Sequence, residues 1–141
     1  MSHRQPKLAV DCIIRVGGKV LLIRRRNEPL GWALPGGFVE YGETVEESVR
    51  REMKEESGLD LAHLRQFHVY SDPARDPRGH CVSVVFTADG VGTPVAGDDA
   101  ADWRLVDPVD APSLDLAFDH KKILADYAAS INPKTARTQA G

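Results

Sequence analysis

Cysteine is scarce in this chain: Cys12 and Cys81 are the only two among 141 residues. That excludes a disulfide framework, and both thiols sit inside apolar, strand-like runs where they read as buried and reduced. The default compartment is then the cytoplasm. An excess of charge of one sign is also missing. The 18 basic and 21 acidic residues leave a net charge of −3, too little to draw nucleic acid or an anionic membrane. A small anionic substrate stays admissible, because it answers to local charge. No apolar run nears the ~20 residues that span a bilayer, and Met1 to Lys7 lacks the apolar segment of a secretory signal. Internal repeats and dividing linkers are absent too. The length therefore suits one domain with a sizeable core. We place it at residues 1–130, with a polar tail at 131–141 expected to be disordered.

The hydrophobic share of 42% and charged share of 28% are those of a globular chain. Leu8 to Val16 and Lys19 to Arg24 are β-rich runs joined at Gly17-Gly18, a two-residue hairpin signal. Arg25 to Gly31 is a loop, and Trp32 to Leu34 adds a short strand before Pro35-Gly36-Gly37. Thr44 with Glu47 predicts a helix N-terminus with a capping box, and Gly58 predicts its stop. Val45, Val49 and Met53 would form the buried stripe. Strands follow at Leu64 to Tyr70, Cys81 to Ala88 and Trp103 to Val106, with a long loop from Gly90 to Asp102. A second helix is expected from Asp119 to about Ala129, with Ile123, Leu124 and Tyr127 inward. The fold class is α/β, a sandwich with a mixed sheet.

Six glutamates and three basic residues lie between Glu43 and Glu56. Part of this pattern is an ordinary solvated face. Glu46 can pair with Arg50, and Glu47, Arg51 and Glu55 form a ladder at four-residue spacing. Two features fit that reading poorly. Glu52 and Glu56 are like charges one turn apart, costing about 0.2–0.5 kcal/mol in an isolated helix. Glu55 and Glu56 also occupy the last turn, where the helix dipole disfavours negative charge. At 100° per residue, Glu52, Glu55 and Glu56 share one 100° sector. Carboxylates gathered against their electrostatics suggest a cation, and oxygen-only donors suit Mg²⁺ or Mn²⁺. Gly36-Gly37 would let the backbone approach a ligand. The residues alone thus leave two readings, a divalent-metal phosphate site and a charged surface helix.

Between Gly37 and Leu59 the sequence runs Gly37, then Glu43, then Arg51-Glu52-Met53-Lys54-Glu55-Glu56-Ser57-Gly58-Leu59. This resembles a complete Nudix box, G-x5-E-x7-R-E-U-x-E-E-x-G-U with U aliphatic, at all nine specified positions. The preceding Leu34-Pro35-Gly36-Gly37 is similar as well. The resemblance implies a Nudix-type α/β/α sandwich and hydrolysis of a nucleoside diphosphate linked to another group, with several divalent ions. Glu52 and Glu56 would be the main metal ligands, Glu55 a further ligand or base, and the Gly36 carbonyl a backbone ligand. Arg51 and Glu43 would hold loop and helix in register. Bound metal would neutralise pyrophosphate oxygens and activate water.

After the box, Ser71 to His80 resembles the corresponding segment of ADP-ribose pyrophosphatases, with Pro73 fifteen residues beyond Gly58. Leu116-Ala117-Phe118-Asp119-His120 looks like small prokaryotic enzymes of that kind. The expected substrate is ADP-ribose, cleaved to AMP and ribose 5-phosphate. The alternatives are a nucleoside triphosphate pyrophosphohydrolase and a non-catalytic ADP-ribose sensor. A sensor would have lost box glutamates and gained a DNA-binding module. All the glutamates are present, and no second domain is expected after residue 130. Arg75 and Arg78 are expected on an exposed loop where guanidinium groups can clamp phosphate, with Pro73 stiffening it. Arg26 is a further phosphate contact from the run Arg24-Arg25-Arg26. His80 and His120 read as packing or capping residues. Asp99 and Asp102, on or beside the long loop, are the candidate general bases. Relatives are often homodimers, so a dimer is compatible with the resemblance.

Overall fold

Gly17 and Gly18 both take left-handed backbone angles, φ of 57° and 78°. They turn β1 (Lys7–Val16) back into β2 (Lys19–Arg25). Two successive positive φ angles define a type I′ hairpin, whose twist matches that of its strands. The computed structural model describes residues 4–97 and 100–131. Beyond the hairpin come β3 (Trp32–Ala33), β4 (Gly36–Phe38), α1 (Val45–Ser57), β5 (Asp60–Tyr70), β6 (Cys81–Val91), β7 (Ala100–Val106) and α2 (His120–Ile131). Except for Ile131, which ends α2, the tail expected to be disordered lies outside the described residues.

The sheet runs β3-β2-β1-β6-β5, with β4 paired to β1 and β7 to β2. It is mixed, because β1 and β6 are parallel and the other pairs antiparallel. Alternation along β1 sends Val10, Cys12 and Ile14 to one face and Ile13 to the other. The first face packs on Val49 and Met53 of α1, with Val45 partly buried beside them. The second packs on Ile123, Leu124 and Tyr127 of α2. The expected α/β/α sandwich is the observed one.

β1 changes partner along its length. Arg15 and Val16 pair with β2, whereas Ala9, Val10 and Asp11 pair with β4. β2 meanwhile peels away to pair with β3 and β7. The strands fork there, and a cavity lies in the fork.

Several boundaries differ from the sequence expectation. β5 begins at Asp60, and its pairing with β6 is interrupted between Ala62 and Arg65 and between Gln66 and His68. His63 takes φ of 54° at the first irregularity. Bulges shift side chains off strict alternation, which hides the first half of this strand from a periodicity reading. β7 starts at Ala100 because β2 recruits Ala100 and Asp102 across a bulge at Arg24/Arg25.

The start of α1 is as expected: Thr44 and Glu47 form a reciprocal capping box, and Gly58 closes the helix at φ 72°. The surface ladder forms only in its Arg51–Glu55 rung, at 3.3 Å. Arg50 donates to the Leu61 carbonyl at 2.9 Å, and Glu46 accepts from Gln66 at 2.9 Å. Glu47 serves the cap instead of Arg51.

The segment before β7 seals the helix end. Val95 N–H donates to Ser57 O at 2.7 Å, and Gly97 N–H to Glu56 O at 3.0 Å. These bonds satisfy terminal carbonyls that a helix cannot satisfy itself. Glycine is needed at 97, since a Cβ there would collide with the Glu55 carbonyl. Gly97→Ala should therefore cost roughly 1–3 kcal/mol, the range for overpacking. Thermal unfolding should show a Tm lower by several degrees, and an unchanged Tm would contradict the close approach.

Candidate active site

The fork holds a cavity of about 400 Å³. Its acidic side comes from α1. Glu52 and Glu56 both line it, with the Glu52 side chain 13% exposed and Glu56 6% exposed. Glu52 can lie there because Gly37 has no side chain; a Cβ would overlap its carboxylate. A Cβ on Gly36 would likewise strike Asp11 and the Val10 carbonyl. The two glycines thus permit close approach of β4 to both α1 and β1.

Arg51 fixes this arrangement. Its Nε and Nη2 donate to the two Glu43 oxygens at 2.7 and 2.9 Å. Nη2 also donates to Phe38 O at 3.1 Å, and Nη1 to Glu52 at 2.8 Å. The fork pattern is the strong geometry for a guanidinium and a carboxylate. It ties the loop after β4 to α1. Arg51 and the backbone N–H of Glu40 together hold the Glu43 carboxyl down at about 2.

Glu55 departs from the expected trio. It is not among the cavity residues, its side chain is 60% exposed, and it accepts from Arg51 at 3.3 Å. The same Arg51 nitrogen donates to Glu52, so Glu55 joins the network that holds Glu52 from its exposed side. Among the described residues no three His, Cys, Asp or Glu side chains form a cluster able to hold a metal ion. Two carboxylates beside glycine backbone remain. That donor set fits a hard divalent cation that fills its remaining positions with water or phosphate oxygens.

On the basic side Arg75 and Arg78 line the cavity as expected, whereas Arg26 and Pro73 do not. Arg26 is exposed, donates to Ala100 O at 3.0 Å and is not a cavity residue; Arg25 lines the cavity in its place. Arg25 is the last residue of β2, whereas Arg26 lies in the bend beyond it and turns to the Ala100 carbonyl. Arg75 lies on a largely exposed loop, but its own side chain is buried. Its side chain is 4% exposed and forks onto Asp119 at 3.0 and 2.7 Å. Pro73 is exposed and does not line the cavity. Arg78 does, held by Asp76 at 2.9 Å. Asp102 is exposed, accepts the adjacent Trp103 N–H at 2.8 Å and does not face the cavity. Asp99 lies outside the described residues. His80 is exposed beside the Ser71 carbonyl at 3.0 Å.

Sequence reasoning missed a buried polar group on the cavity floor. Asp11 accepts from the Ser83 hydroxyl, and burial pushes its carboxyl up to about 6. A lone aspartate in the apolar run LAVDCIIRV was the available signal. His120, read as a packing or capping residue, is 1% exposed, and its Nδ1 accepts the Leu34 N–H at 3.0 Å. Nδ1 is therefore unprotonated, and the neutral ring carries its hydrogen on Nε2, 3.8 Å from Asp11. Burial pushes His120 down to about 3.

A family model for the NUDIX domain matches residues 5–127. The chain belongs to the Nudix family, whose hydrolases use divalent metal ions. It is 53% identical over 128 residues to an ADP-ribose pyrophosphatase of Methanocaldococcus jannaschii, covering 89% of this chain and 75% of the relative. The solved NUDIX domain of Shewanella oneidensis NrtR, complexed with ADP ribose, superposes with a TM-score of 0.82. Identity there is 26%, covering 92% of this chain and 91% of that one. A bifunctional NMN adenylyltransferase/ADP ribose pyrophosphatase of Francisella tularensis, complexed with AMP and Mn ion, gives a TM-score of 0.77 at 27% identity. The match covers 91% of this chain and 43% of that longer one.

The neutral His120 has a consequence for stability. Its folded value of about 3 lies below the ordinary 6.5. The unfolded chain therefore takes up a proton that the folded chain refuses, and stability is lost as pH falls from 6.5 toward 3. His120→Asn can keep an acceptor for Leu34 but does not titrate. The Tm advantage of the unmodified chain over this variant should shrink between pH 7 and pH 4. A constant difference would contradict a buried neutral imidazole.

Proposed function

We propose that this chain hydrolyses ADP-ribose to AMP and ribose 5-phosphate, with Mg²⁺ or Mn²⁺ held by Glu52 and Glu56 beside Gly36. The observation that carries this reading is that one cavity gathers both carboxylates and the guanidiniums of Arg25 and Arg78. A cation site and a phosphate site thus share a chamber whose volume suits a small molecule. The names of the Methanocaldococcus relative and the NrtR complex support ADP-ribose among nucleoside diphosphate derivatives.

Each residue then has a physical task. Glu52 and Glu56 offer oxygen ligands from adjacent turns of one rigid helix. A divalent cation held there would supply charge to offset the pyrophosphate oxygens and to activate a water. Arg78, held by Asp76, presents a fixed cation to a phosphate, and Arg25 adds a second. Arg51 and Glu43 keep the glycine strand at the distance that Glu52 requires. Glu55 supports Arg51. Cys12 and Cys81, buried as free thiols, suit a reducing compartment such as the cytoplasm.

Steady-state kinetics with product identification tests the reading. kcat/KM for ADP-ribose should exceed that for any ordinary nucleoside triphosphate by at least about tenfold, or ~1.4 kcal/mol of transition-state binding. Equal or faster release of pyrophosphate from a triphosphate would move the chain to nucleotide-pool sanitation. Glu56→Gln should lower kcat about a hundredfold or more, as expected when a ligand to a catalytic metal is weakened. Glu47→Gln should change it little, because glutamine also closes a capping box. Equal losses in both variants would refute the assignment of Glu56.

A further inference from the structure

Phe118 is a bulky residue in a left-handed conformation, with φ of 56°. Such angles are uncommon outside glycine, asparagine and aspartate, and persist in larger residues where the surroundings enforce them. The surroundings here do so. Ala117 N–H donates to Trp32 O at 2.8 Å, Asp119 receives the Arg75 fork, and His120 is buried against Leu34. With both flanks anchored, the turn directs the Phe118 ring to the cavity wall.

Two cations meet that ring. The Arg25 guanidinium lies 4.8 Å and that of Arg78 5.1 Å from its centroid. Burial and the neighbouring Arg78 both work against the charge on Arg25. A ring shared by the two guanidiniums offsets part of this cost and restrains both. Arg25 is further held by the Pro29 carbonyl at 2.7 Å, and Arg78 by Asp76.

We propose that Phe118 is a positioning residue, whose ring holds Arg25 and Arg78 in place to receive the pyrophosphate of the substrate. The proposal rests on the functional reading above in assigning a pyrophosphate to this cavity. Phe118 acts through the two arginines and takes no part in bond breaking.

The test is calorimetric binding of inorganic pyrophosphate to the full chain freed of metal, alongside thermal unfolding. Phe118→Asn removes the ring while suiting the left-handed backbone, and Phe118→Tyr keeps the ring. Binding should weaken threefold or more in Phe118→Asn and stay within threefold of the unmodified chain in Phe118→Tyr. Should Phe118→Asn fail to unfold cooperatively, Phe118→Leu replaces it under the same threshold. A loss smaller than threefold on removing the ring, an equal loss in Phe118→Tyr, or no pyrophosphate binding by the unmodified chain would overturn the proposal. ADP-ribose turnover by the unmodified chain is measured separately. Ring-dependent pyrophosphate binding without that turnover would refute the substrate assignment and leave the role of Phe118 standing.

Discussion

Arg51 spends its guanidinium on three parts of the chain at once. One edge forks onto Glu43 in the loop, a terminal nitrogen reaches the Phe38 carbonyl at the end of β4, and the other reaches Glu52 on its own helix. A planar fork can do this and a lysine ammonium cannot, because the directions of its donors are fixed relative to one another. The spacing of β4 from α1 follows, and with it the position of the Glu52 carboxylate against Gly37. The exposed Glu55 belongs to the same network. The helix thus combines a carboxylate pair turned inward with a partly buried cation that restrains it.

The cavity also depends on β1 serving two partners along one edge. Near the hairpin it holds β2, and toward its start it holds β4. A strand paired to a single neighbour would leave no fork. The same edge brings Asp11 to the cavity floor, where Ser83 on the parallel neighbour β6 and His120 at the start of α2 meet it. The site therefore draws on both helical layers. α1 supplies carboxylates from one side, while the turn into α2 supplies Phe118 and His120 from the other.

Features that depend on local chemistry were legible from the sequence. The Thr44 cap, the Gly58 stop and the glycine hairpin are decided within a few residues, and the structure agrees with each. The family box shows in its fixed spacing. Features decided by distant partners were harder to read. Arg25 and Arg26 are adjacent in sequence, but Arg25 closes β2 and lines the cavity, whereas Arg26 lies past the strand and reaches the distant Ala100 carbonyl. Arg75 looked exposed because its loop is rich in proline and charge; Asp119, 44 residues away, buries it. Glu55 lies in the right helical sector, yet its side chain is 60% exposed, outside the cavity lining, and accepts from Arg51.

The backbone bonds from Val95 and Gly97 to the last turn of α1 carry a dynamic consequence. Helix ends ordinarily fray, opening and closing at little cost in free energy. In this chain the turn that bears Glu56 can open only if the segment leading into β7 lifts with it. The two stretches then form one cooperative unit, and the amide protons of Val95 and Gly97 share its opening rate. A carboxylate at the end of a helix thereby acquires the persistence of the segment to which its turn is sewn.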